Sequence, residues 1–252
     1  MKKLAFLLLS VLILLIGCQL KQEPAKTEAA QVEEKKSETI IVNNEKPVPE
    51  PVIRDINPPS EDQKNSSTLF RRGLELVKSQ KYEEGIAYFN RALESDPQNA
   101  RIIFNRGNAY FIMKDYERAQ EDFDLSLEIN PSDTMVLLYS GLTKFYRSDF
   151  QGAFKDYSSA IEKSKRFSIA YYNRGLTRGQ MNNYQGAVDD FTQAIIFNPD
   201  YSQAYYNRGL AYFFVKDSNN ACMDWIQANR MGSPNAQKAI DLYCEKYKHM
   251  IK

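Results

Sequence analysis

The chain has 252 residues, 43% hydrophobic and 26% charged, with a formal net charge of +1. That is material for one or two domains with a sizeable core, and near-neutrality removes the electrostatic case for nucleic acid. The single histidine, His249, leaves a His-based catalytic centre or metal site almost without imidazole.

The chain opens with Lys2 and Lys3, an apolar run from Leu4 to Ile16, then Gly17 and Cys18. A basic start, a short apolar middle and a small residue at the cut predict a secretory signal over residues 1–17. A comfortable membrane span would need about 20 apolar residues. Leu15-Ile16-Gly17-Cys18 resembles the lipobox of bacterial lipoproteins. The resemblance implies cleavage before Cys18, a diacylglyceryl group on its sulfur and a further acyl chain, such as palmitate, on its new amine. Several chains together anchor stably in a membrane. Gln19 stands where aspartate would mark inner-membrane retention in enterobacteria, which favours the outer membrane and leaves the periplasmic or surface face open.

Residues 18–60 read as the lipidated N-terminus and a disordered tether. From 19 to 60 there is no aromatic residue, six of the ten prolines fall here, and charges of both signs are mixed, as in Glu33-Glu34-Lys35-Lys36. Such a composition cannot bury enough apolar surface to offset the entropy of ordering. A flexible chain of this length averages about 40 Å end to end.

From residue 66 the sequence repeats every 34 residues. Gly73, Gly107, Gly141, Gly175 and Gly209 keep that interval without a slip. Nine residues after each glycine stand Tyr82, Tyr116, Phe150, Tyr184 and Ser218; sixteen after it stand Phe89, Phe123, Tyr157, Phe191 and Trp225. Gly85, Ala119, Ala153, Ala187 and Ala221 hold a small-residue register between them, and Pro97, Pro131 and Pro199 close three of the periods. This pattern resembles the tetratricopeptide repeat (TPR). It implies an all-α fold: a right-handed superhelical solenoid of five helix-turn-helix repeats (66–99, 100–133, 134–167, 168–201, 202–235) within a domain spanning 61–252. The small residues would let helices A and B of a repeat approach closely, the aromatics would fill the space between pairs, and stacking would build one continuous core. Lys165 replaces the closing proline of repeat three, so an irregular loop is expected there.

Residues 236–250 predict a capping helix, with Ala236, Ala239, Ile240, Tyr243, Cys244 and Tyr247 on one apolar face. Besides Cys18 the chain has only Cys222 and Cys244, an even number, which allows either a disulfide clamping the cap or two buried thiols. They are not a CxxC pair.

Where the TPR family usually has leucine before the glycine, this chain has Arg72, Arg106, Ser140, Arg174 and Arg208. Sixteen residues on stand Tyr88, Asp122, Asp156, Asp190 and Asp224. The spacing predicts Arg106–Asp122, Arg174–Asp190 and Arg208–Asp224 pairs between helices A and B, setting helix register. The alternative is an arginine row facing a ligand.

In TPR proteins ligands lie along the concave surface of the A helices. Transferred to this chain, that implies a partner-binding groove of Phe70, Phe104, Asn105, Asn108, Tyr139, Tyr172, Asn173, Tyr206 and Asn207, with about half exposed. The lysines of the family's carboxylate clamp are missing, because the register that needs one holds Phe70, Phe104, Leu138, Tyr172 and Tyr206. Tyrosine offers area and a hydroxyl, and asparagine bonds a peptide backbone in both directions.

No P-loop, HExxH, GxSxG or CxxC occurs. The expectation is a non-enzyme without cofactor or metal: a lipid-anchored scaffold of the bacterial cell envelope that recruits a protein or peptide partner. A surface-displayed adhesin and a structural spacer are the alternatives, and a homodimer through residues 202–250 stays open.

Overall fold

A computed structural model describes residues 61–246. The expected signal segment, the lipidated Cys18 and the tether lie outside the described residues. Those described form eleven α-helices and no strand: α1 (Glu61–Lys78), α2 (Tyr82–Ser95), α3 (Ala100–Ile112), α4 (Tyr116–Ile129), α5 (Thr134–Tyr146), α6 (Phe150–Lys163), α7 (Ser168–Gln180), α8 (Tyr184–Phe197), α9 (Ser202–Phe214), α10 (Ser218–Arg230) and α11 (Ala236–Tyr243). Odd-numbered helices up to α9 are the A helices and each packs on the even-numbered B helix after it; every B helix then packs on the next element of the chain. The fold is the all-α solenoid that the 34-residue pattern implies.

Two residues beyond each A helix stands a non-glycine residue in the left-handed region, at one register: Gln80, Lys114, Ser148, Asn182 and Lys216, with φ between 60° and 68°. The residue after it caps helix B. Asp115, Asp149, Asn183 and Asp217 each accept the backbone N–H three residues ahead, whereas Lys81 of the first repeat makes no such bond. A short polar oxygen at this point satisfies a helix N–H that has no partner within the helix.

The turn from helix B to the next helix A does not depend on proline. The C-caps Asn130, Ser164 and Asn198 have φ of −133°, −134° and −142° and ψ of 85°, 94° and 88°. Ser164 N–H bonds to Ala160 O at 2.9 Å just as Asn130 bonds to Ser126 O and Asn198 to Ala194 O. The irregular loop expected at Lys165 is therefore absent: helix B has already ended before that position, so losing the proline removes a stop that is not needed.

Inside each repeat the glycine register is occupied by a ring from helix B. A Cβ on Gly141 would lie 2.6 Å from the Tyr157 ring, and one on Gly175 would lie 2.8 Å from Phe191. Phe89, Phe123, Tyr157 and Trp225 at this register are fully buried and Phe191 nearly so. Neighbouring A helices also come closer to one another than neighbouring B helices do. The stack therefore curves, with A helices on its inner face.

The cap is shorter than its sequence suggests. The helix ends at Tyr243, not at residue 250, and Cys244 breaks it with φ −120° and ψ 37°. Ala236, Ala239, Ile240 and Cys244 are buried, but Tyr243 is exposed and Tyr247 lies outside the described residues. Cys244 leaves the helix as it joins Cys222 of α10 in a disulfide, with Cα atoms 5.6 Å apart.

Candidate functional site

The arginine row is committed within the fold. Arg106 donates from Nε and Nη2 to the two Asp122 oxygens at 2.9 and 2.6 Å, Arg208 does the same to Asp224 at 2.8 Å twice, and Arg174 grips Asp190 at 2.7–3.2 Å. The third donor, Nη1, points the other way along the stack. It reaches helix B of the preceding repeat: Asn90 Oδ1 at 2.7 Å, Ser158 Oγ at 3.1 Å and Thr192 Oγ1 at 3.1 Å. One guanidinium thus joins three helices and two repeats. Sequence reasoning found the aspartates and missed these acceptors. The signal was there: the register holding Asn90, Asp124, Ser158 and Thr192 is polar until Ile226, beyond which the arginine register holds Leu242.

Repeat three lacks the arginine and assembles a substitute. Gln120 Nε2 donates to Ser140 Oγ at 2.9 Å, Ser140 donates to Asp156 at 2.7 Å, and Lys144, one turn along α5, reaches the same carboxylate at 2.6 Å. Repeat one has Tyr88 in place of the aspartate, and Arg72 pairs with Glu75 on its own exposed helix face. Burial lifts the Asp122 and Asp224 carboxyls above their ordinary value despite the guanidinium each holds. These pairs therefore fix register more than they add stability.

The nine groove residues predicted from sequence lie on the inner A helices, but none is fully exposed. Phe70, Asn105, Tyr139 and Asn173 are buried; Phe104, Asn108, Tyr172, Tyr206 and Asn207 are half-buried. The expectation of about half exposed is corrected, because aromatic packing draws these side chains inward. The Tyr139 ring meets Phe104, Phe111 and Phe123 at 5.4–6.0 Å, and Tyr172 packs on Phe191 and Tyr201 at 5.8 and 4.6 Å.

The asparagines split their functions. Asn105, Asn173 and Asn207 each donate an amide hydrogen to the carbonyl four residues earlier in the same helix, and Asn207 also donates to the Tyr172 hydroxyl at 3.0 Å. Their nitrogens are thereby engaged by the fold. Asn108 stands where the other repeats have Leu74, Leu142, Leu176 and Leu210, and its Oδ1 is buried without a hydrogen-bond partner. A buried acceptor without a donor is costly and calls for an explanation.

No group of three His, Cys, Asp or Glu side chains that could hold a metal occurs among the described residues, and no described helix is long and apolar enough to cross a membrane.

Comparison with known proteins follows this geometry. A tetratricopeptide repeat model matches residues 100–133 and 168–201, and a TPR repeat model matches 73–113. No curated protein sequence matches the chain significantly. Among solved structures, MamA is 21% identical with a TM-score of 0.61, covering 66% of this chain and 96% of its own. MamA from Desulfovibrio magneticus RS-1 is 16% identical with a TM-score of 0.63, covering 68% and 96%. YrrB, described as a TPR protein with an unusual peptide-binding site, is 18% identical with a TM-score of 0.62, covering 72% and 94%.

Proposed function

The chain is a tetratricopeptide-repeat protein, and from that premise we propose that it is a recruiting scaffold, held to a bacterial envelope membrane by lipid on Cys18, that binds an extended segment of a protein partner on its inner face. The observation that carries the reading is Asn108. Its Oδ1 is a buried acceptor without a donor, set among half-buried aromatics where other repeats have leucine. A backbone N–H from a partner chain supplies the missing donor once the Asn108 side chain turns outward. The peptide-binding site named for YrrB, a protein of similar fold, is in keeping with this use of the face. No part of the proposal needs a cofactor or a catalytic group.

The test is cross-linking of the full chain in native envelopes beside Asn108→Leu, a substitution the other repeats already accommodate. The reading expects one dominant partner that is lost with the folded variant. Retention of the same partner by Asn108→Leu would remove the inner face from consideration. The anchoring arm of the proposal is checked by mass spectrometry of the mature N-terminus, where an unmodified Cys18 would sink it.

A further inference from the structure

The turns that lead from each helix B to the next helix A lie together along one edge of the stack, and one of them departs from the rest. In repeats one, two and four the turn reads Ser95-Asp96-Pro97-Gln98, Ile129-Asn130-Pro131-Ser132 and Phe197-Asn198-Pro199-Asp200; in repeat three it reads Lys163-Ser164-Lys165-Arg166. The third turn keeps the backbone of its neighbours, so the fold does not require a lysine in place of the proline. All three cations are exposed, and among the described residues none of them is in an ion pair. The Arg166 guanidinium lies over the Phe197 ring at 5.9 Å, which ties this turn to the end of α8.

The edge is apolar on both sides of the cations. Ile129, the last residue of α4, is 40% exposed, and Ile196, in the last turn of α8, is 59% exposed. Ile196 stands where repeats one to three have Glu94, Glu128 and Glu162. Glu162 sits beside the basic turn, and the turns on either side each add one carboxylate, Glu128 and Asp200; all three are exposed and none closes on the cations.

The chain also joins the solenoid at this edge. Each described A helix after the first begins here, following a short turn from a helix B. α1 begins at Glu61, five residues ahead of residue 66, the register at which α3, α5, α7 and α9 begin. Those residues carry α1 about 7–8 Å beyond the edge, and the segment leading back to Cys18 starts from there.

Resting on the anchoring half of the reading above, we infer that this edge is a second membrane contact: Lys163, Lys165 and Arg166 meet the phosphates of anionic lipid headgroups, while Ile129 and Ile196 enter the boundary with the acyl chains. Cations beside exposed apolar side chains suit an anionic membrane surface, because the first supply attraction and the second insert. Position selects a lipid surface over an acidic protein: the anchored chain enters the fold at this edge, so this edge is what the tether holds towards the membrane. The stack then rests on its turns, with the inner face turned sideways and open to a partner.

The experiment places the full chain on vesicles of phosphatidylcholine alone or mixed with phosphatidylglycerol, recovers it by flotation, and follows how fast a water-soluble reagent acetylates each lysine. Lys114 and Lys216, in turns at the opposite edge, are the internal control. On the anionic vesicles Lys163 and Lys165 should react about tenfold more slowly than on neutral ones, Lys114 and Lys216 should be unchanged, and high salt should abolish the difference. Lys165→Pro gives the third turn the residue of repeats one, two and four, and Ile196→Glu gives α8 the residue of α2, α4 and α6, so both should keep native helicity. Both should weaken the protection of Lys163, Lys165→Pro by about fivefold. A chain that floats with both kinds of vesicle but protects no lysine, or all four equally, overturns the edge and leaves the anchor. One that floats only with anionic vesicles and protects Lys163 overturns the anchor and leaves the edge, and one that floats with neither overturns both. Protection in native envelopes that anionic vesicles do not reproduce overturns the lipid assignment and gives the edge to an acidic protein.

Discussion

The seam between repeats two and three and the seam between repeats three and four solve one packing problem with different side chains. At the second seam Arg174 spans from Ser158 to Asp190, with Arg178 adding its own contact to Asp190 at 3.1 Å. At the first, Gln120, Ser140, Lys144 and Asp156 pass the same connection through four residues. A guanidinium does in one rigid group what the relay does with several flexible ones, and its planar fork holds two carboxylate oxygens while a third donor remains for the neighbour. The relay keeps its ion pair through a flexible lysine whose side chain is 23% exposed and can turn to water, whereas the Arg174 side chain is 16% exposed.

That difference can be broken directly. Asp190→Ala strands Arg174 and Arg178 with no carboxylate and should lose about 3–5 kcal/mol in chemical denaturation. Asp156→Ala should lose about half as much, because Lys144 can reach solvent. Equal losses would mean that relay and fork are equivalent. Next in size, Cys244→Ser should cost about 3 kcal/mol in the chain-entropy description, read as a lower midpoint with a steeper slope, because the unlinked unfolded chain exposes more surface. Gly175→Ala drives a methyl group into the Phe191 ring and should cost about 1–3 kcal/mol. Ser158→Ala removes one acceptor from a charged donor and should cost about 1.5 kcal/mol, with a double-mutant cycle against Arg174→Lys giving a coupling near that figure. The same cycle between Ser140 and Lys144 sharpens the comparison at the other seam.

Alkali should break the middle of the stack without any substitution. Burial raises the phenols of Tyr139, Tyr157, Tyr172 and Tyr201 well above their ordinary value of 10.0. Above pH 10 the unfolded chain releases these protons and the folded chain does not, so stability falls as pH rises past 10. Absorbance at 295 nm should show exposed tyrosines ionising first and the buried set only together with loss of helix. These four tyrosines belong to repeats three and four, so the step reports on the middle of the stack.

The fold was legible because a repeated pattern states the same instruction five times. Gly, Ala and ring registers recur at 34 residues, and only close helix pairs satisfy all of them together. The Arg–Asp pairs were legible for the same reason, since sixteen residues is the offset between facing positions of helices A and B. The reach of each arginine back to Asn90, Ser158 or Thr192 was harder to see, because polar residues on a helix face read first as solvated surface. Groove exposure was the least legible. Tyr139 occupies the register of Asn105 and Asn173, yet its ring is taken into the aromatic packing of repeat two. The end of α11 was obscured by a good amphipathic pattern that the geometry of a cross-link overrides.

The Cys222–Cys244 bridge gives the stack a direction. A one-dimensional array frays from its ends, and among the described residues the last seam carries a cross-link and the first does not. Opening should therefore advance from repeat one toward repeat five, like a seam unpicked from its loose end. In native-state hydrogen exchange the amides of α1 and α2 would be lost first and those of α9 and α10 last, and reduction of the bridge would make the order run from both ends.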